Sequence, residues 1–164
     1  NYRHAKGRVR FANVAVTDAG QKCEMIRVPA GLVDSGTAPD WALGVSSFFD
    51  ARSAVGGVGA SAQDFATYSQ EQERMSVVCV TLDDLLATHE VAKIDMLQVD
   101  AEGYDARILA QLDLARWKPA VISLETLNLP EDELLSVYAQ LQTHGYSIQS
   151  DGRDLVALRP EHIS

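Results

Sequence analysis

The chain has 164 residues, 46% hydrophobic and 23% charged, a size that predicts one domain burying roughly 70% of its unfolded surface. Its formal net charge of −9 argues against nucleic acid and anionic membrane as partners, because both call for a basic surface. No run approaches 18 apolar residues and no signal peptide opens the chain, so a soluble, cytoplasmic protein is expected.

The opening NYRHAKGRVRF has no Met start and enters a strand within eight residues; the natural protein is expected to continue upstream. Residues 8–16, RVRFANVAV, alternate and read as a strand. Asp18-Ala19-Gly20 makes a turn into a second strand, KCEMIRV (22–28), in hairpin fashion. Residues 29–75 show scattered Gly and Ser with no sustained period, and read as a flexible insertion in the domain. Cys23 and Cys79 each sit in a β-like run and read as buried free thiols rather than a disulfide. A strand resumes at Ser76–Leu82. Thr81-x-x-Asp84 resembles a capping box opening a short helix to His89.

From Val91 the elements alternate regularly. Ile94–Val99 is a continuous apolar run, expected to be a strand covered on both faces. Asp105–Arg116 reads as a helix with Ile108, Leu109 and Leu112 on one side. Ala120–Leu124 is a short buried strand. Pro130–His144 is an amphipathic helix with Leu134, Tyr138 and Leu141 inward and Gly145 at its C-terminal stop. Tyr146–Gln149 and Leu155–Leu158 pair through SDGRD, whose Asp-Gly favours a tight turn. This order predicts an α/β fold, a mostly parallel sheet ending in an antiparallel hairpin.

Acids crowd the apolar run of KIDMLQVDAEGYDARIL, and a buried carboxylate costs several kcal/mol unless compensated. Ligands of an open α/β sheet bind outside the carboxyl ends of its parallel strands. Asp100 and Glu102 follow one such end, Glu125 the next, and Asp18 follows NVAV. Gly103 lets the backbone turn close to a ligand, and Asp105 suits the positive end of a helix. Each acid alone also reads as a helix cap, and Asp95 as a partner of Lys93. Gly57 to Ala62 fits GxGxxA, but no good strand precedes it and no acid-ended strand follows at the right distance; it reads as part of the insertion or as a substrate lid. His4, His89, His144 and His162 are isolated, no His/Cys cluster has metal-ligand spacing, and no metal site is expected. Asp100 with Glu125 is similar to the acid pair of metal-dependent catechol O-methyltransferases, the one arrangement that would suit Mg²⁺.

VTLDDLL (80–86) followed by IDMLQVDAEGYDARIL (94–109) resembles the signature of the FkbM-type methyltransferases, "TLDDL" and then "IDLLKIDVEGAExxVL". Gln98 stands for the usual Lys, Ala101 for Val, and Tyr104-Asp105 for Ala-Glu. FANVAVTDAG (11–20) looks like the family's third strand, SSFF (46–49) its serine-containing segment and PAVISLE (119–125) its fifth strand. The resemblance implies a Rossmann-like class I methyltransferase sheet using S-adenosyl-L-methionine, with O-methylation of a small-molecule or sugar hydroxyl. It implies Val16 and Asp18 beside the adenine and Asp100 near the cofactor's cationic end. Glu102, or second Asp100, would take the acceptor proton, with Glu125 on the substrate side. The glycine loop after strand one and the acid after strand two are not found upstream of residue 8, so the sheet is expected to lack its first two strands. Two other classes stay open: a non-catalytic remnant or interaction module without the cofactor half, and a nicotinamide oxidoreductase using the 57–62 glycines.

Overall fold

A computed structural model describes residues 7–20, 23–49, 61–68 and 70–160; the GxGxxA glycines 57 and 59 and His4 and His162 lie outside them. Strands β1 (Ala15–Val16) and β5 (Cys79–Val80) form a parallel pair. An antiparallel ribbon has β2 (Cys23–Arg27) between β3 (Ser46–Ser47) and β4 (Glu73–Val77). The third sheet has the order β6-β7-β9-β8, from β6 (Met96–Val99), β7 (Val121–Glu125), β8 (Ser147–Ser150) and β9 (Asp154–Leu158).

β6 and β7 are adjacent and parallel, with Val99 opposite Leu124. The C-terminal hairpin adds to β7 through β9, antiparallel, with Leu124 opposite Leu155. Asp151 shapes its turn by accepting from the amides of Arg153 and Asp154, both at 2.9 Å, and Gly152 takes φ +90°. Helices α4 (Asp105–Gln111) and α6 (Glu131–Thr143) cover this sheet. Leu109, Ile122, Leu124, Leu141 and Leu155 have no exposed surface, and burying side chains of this size is worth about 2 kcal/mol each. Tyr146 closes the base, its hydroxyl donating to the carbonyl of Pro119 at 2.7 Å.

Several expectations are met at residue level. Asp84 N–H donates to Thr81 Oγ1 at 3.1 Å while that hydroxyl donates to Asp84 Oδ2 at 2.8 Å, the cap opening α3 (Leu82–Thr88). Lys93 pairs with Asp95 at the surface.

Four expectations are corrected. The first strand shrinks to two residues and pairs with β5, not with β2, because β2 is taken on both edges by β3 and β4. The helix expected over 105–116 breaks at Leu112 into α4 and α5 (Leu114–Trp117), because Asp113 caps a new start by accepting from the amides of Ala115 and Arg116. Parallel pairing is confined, among the described residues, to β1–β5 and β6–β7, so the sheet is not mostly parallel. Cys23 and Cys79 are joined in a disulfide with Cα atoms 6.4 Å apart. Cys23 lies opposite Val77, and the chain passes from β4 into β5 within two residues, which brings Cys79 back beside it.

Within 29–75 the described residues form α1 (Ala30–Asp34), a 3-10 turn over Asp40–Gly44, β3, α2 (Ala62–Tyr68) and the start of β4. Val28, Ala38, Ala42 and Tyr68 make a small second core there.

Candidate functional site

The acids gather at the carboxyl ends of β6 and β7. Past Val99 the chain turns sharply, with Glu102 at φ +49° and Gly103 at φ +97°. A Cβ on Gly103 would lie 3.3 Å from the Asn128 carbonyl and 3.5 Å from the Phe49 ring, so the turn depends on glycine for both conformation and space. Asp105 locks it from inside. Its fully buried carboxylate accepts from the amides of Ala101 and Gly103, both at 3.2 Å. Burial pushes its pKa up, and those two amides oppose the rise.

Glu102 is thrown outward on this turn. Asn128 Nδ2 donates to Glu102 Oε2 at 3.2 Å and to Glu125 Oε2 at 3.4 Å, tying the ends of β6 and β7 together. One carboxylate oxygen each from Asp100, Glu102 and Glu125 lies within 4.8 Å of the others. Arg153 approaches Glu125 at 3.7 Å. Glu102 is pushed up to about 7, first by burial and then by the charges of Glu125, Asp100 and Asp105, with Arg153 opposing. Glu125 is raised by burial and by Asp100 and Asp105. The all-oxygen trio has the donor chemistry of a hard cation; acid groups at a strand end also occur without one.

A cavity of about 570 Å³ opens beside the trio. Val14, Ala15 and Val16 form one wall and Leu97 to Glu102 the other, with Leu82, Leu85, Phe48, Tyr104 and Ile108 between. Its body is apolar, and its carboxylates stand at one end. Val16, Asp100 and Glu102 line it directly. Glu125 does not line it but belongs to the trio at its rim, and Asp18 reaches it through Tyr104, whose hydroxyl donates to Asp18 Oδ1 at 2.9 Å. Of the five residues singled out in the sequence, three line the cavity, Glu125 stands at its rim and Asp18 is one hydrogen bond away.

The segment Ser46–Phe49 folds over the acid turn. Ser47 Oγ donates to the Glu102 carbonyl at 3.4 Å and accepts from the Phe49 amide at 3.2 Å. Phe48 and Phe49 pack on the Tyr104 ring, centroids 5.4 and 5.7 Å away. Asn128 and Tyr104 are residues that sequence reasoning did not assign to the site. Asn128 lies three residues past Glu125 in the turn leaving β7, and that spacing is the signal that could have found it.

No curated protein and no solved structure matches the chain. A family model, the Methyltransferase FkbM domain, matches residues 3–148. That span holds the end of β1, the acid turn, Glu125 and Asn128, and with most of its length inside the match this chain belongs to the FkbM methyltransferase domain family.

Proposed function

We propose that this protein is an S-adenosyl-L-methionine-dependent methyltransferase that O-methylates a hydroxyl on a small molecule or sugar. The observation that carries the reading is the cavity itself, apolar along its walls and anionic at the β6 end. An adenosine needs an apolar slot, and an ammonium and a sulfonium need negative charge, so these residues fit that cofactor. Bound, it would supply a methyl group on a positively charged sulfur.

The chain's own residues do the rest. Val16 offers apolar contact to the adenine and Asp18 an acceptor at the end of β1. Asp100, at the tip of β6, favours a cation at the cavity rim. Glu102 takes the acceptor's proton. A carboxylate near 7 is half ionised at neutral pH, close to the best compromise for a general base. Asn128 orients it, and Glu125 on the substrate side keeps its affinity for a proton high. Aligning two reactants in a water-poor cleft supplies much of the remaining barrier reduction.

The Rossmann reading draws support from the β6-β7-β9-β8 order and from β6, whose other edge faces the cavity. Met96 is 53% exposed on that edge strand, although its run is apolar enough for a covered one. The Cys23–Cys79 disulfide counts against a cytoplasmic location, since disulfides are rare in the cytosol. Among the described residues no helix is long and apolar enough to cross a membrane.

The test is transfer of a labelled methyl group from S-adenosyl-L-methionine by the intact protein to a panel of sugars and small alcohols. Label on a hydroxyl oxygen, lost with Glu102→Gln, supports the proposal. Label on nitrogen or carbon only would replace O-methylation with another acceptor class, and no label at all would favour the non-catalytic module.

A further inference from the structure

The two walls of the cavity belong to different sheets. Val14 to Val16 ride with the β1–β5 pair, while Leu97 to Glu102 ride with β6, and among the described residues no strand pairing joins the two. The spacing between the walls is therefore set by side chains. Tyr104 stands where it can set it. Its ring is 7% exposed and is anchored on the acid-turn side by Phe48, by Phe49 and by the Arg107 guanidinium, 5.3 Å from its centroid. Arg107 is itself held by Glu133 at 3.2 Å. The hydroxyl donates to Asp18 at the end of β1, 86 residues earlier in the chain, and the Arg107 side chain also interacts with it. A hydroxyl donating to a carboxylate is among the stronger hydrogen bonds a side chain makes.

We propose that Tyr104 is a positioning residue whose hydroxyl, bonded to Asp18, clasps the end of β1 to the acid turn and holds the cavity at the width its ligand needs. The identity of the ligand rests on the methyltransferase reading; the clasp does not. Asp18 Oδ1 receives Tyr104, so on the methyltransferase reading any contact of Asp18 with the ligand falls to its other carboxylate oxygen. Burial and the bond to Asp18 both raise the Tyr104 pKa, so the phenol stays protonated, and able to donate, throughout the neutral range.

The test uses the intact protein, its Tyr104→Phe, Asp18→Ala and Asp18→Asn variants, and two readouts. Tyr104→Phe keeps the ring packing and removes only the hydroxyl. In the ligand-free protein, hydrogen exchange at the Ala15, Thr17, Ala101 and Gly103 amides should quicken about tenfold in Tyr104→Phe and Asp18→Ala. Asp18→Asn, which keeps an acceptor, should stay near wild type. The Ile122 and Leu124 amides, in the sheet core, should not change in any variant. With cofactor, Tyr104→Phe should raise KM for S-adenosyl-L-methionine about tenfold and leave kcat within about twofold, the pattern of lost binding rather than lost chemistry. Unchanged exchange at both walls in Tyr104→Phe would overturn the clasp, and so would faster exchange that includes Ile122 and Leu124. If the exchange result holds but wild-type protein binds no cofactor, the clasp stands and the methyltransferase reading falls.

Discussion

Glu102→Gln should make the protein more stable at alkaline pH, because the native carboxylate is held against its preference. Its pKa rises from 4.5 to about 7 through burial first, and then through the charges of Glu125, Asp100 and Asp105. Between those values the folded protein keeps a proton that the unfolded chain has released. The stability contributed by Glu102 is therefore complete below about pH 4.5 and is lost as the pH rises through about 7. At ~1.4 kcal/mol per pH unit the displacement amounts to ~3 kcal/mol before screening. Glu102 is only half-buried, and solvent screening reduces this to about 1–2 kcal/mol. Glutamine keeps the shape and an oxygen for Asn128 but carries no charge. Urea unfolding of both proteins at about pH 5 and about pH 8 measures the effect, with the variant ahead by about 1–2 kcal/mol only at the higher pH. An equal difference at both pH values, or a variant less stable at the higher one, would refute the crowding of Glu102. The same group should give wild-type turnover a rising limb with its midpoint near 7, and Glu102→Gln should lose about 10²–10⁴-fold in kcat.

Reducing the Cys23–Cys79 bond, which closes a separation of 56 residues, should cost about 4 kcal/mol through the freedom regained by the unfolded chain; denaturant midpoints with and without a thiol reductant check it. Gly103→Ala should destabilise by about 1–2 kcal/mol, since it adds a Cβ at φ +97° and 3.3 Å from the Asn128 carbonyl; thermal melts measure it, and a neutral result would show that the turn relaxes freely. Asp105→Ala should cost about 2–3 kcal/mol because it orphans the Ala101 and Gly103 amides in the interior, with the loss read from urea unfolding.

The C-terminal half was legible because its signals are local. The Thr81–Asp84 cap, the Asp-Gly turn and the stop at Gly145 are each written within four residues, and each appears in the structure. The parallel β6–β7 pair followed from two apolar runs separated by a helix. The N-terminal half depends on pairings the local pattern does not encode. Nothing in RVRFANVAV says that β5, more than sixty residues later, is its partner rather than β2. The disulfide was hidden for the same reason, since each cysteine sits in an ordinary β-like run and only the β2–β4 register brings them together. Asp100, Glu102 and Glu125 were legible because strand ends are. Tyr104 was not, because its role lies in a bond to a residue 86 positions away.

The most direct measurement is a calorimetric titration of S-adenosyl-L-methionine into the intact protein and its Asp100→Asn variant. Saturable binding to wild type, weakened at least about tenfold when the rim charge is removed, is the predicted result. Absence of binding by the wild-type protein, or equal affinity in both proteins, would contradict the assignment of the β6 end as the cofactor's cationic subsite.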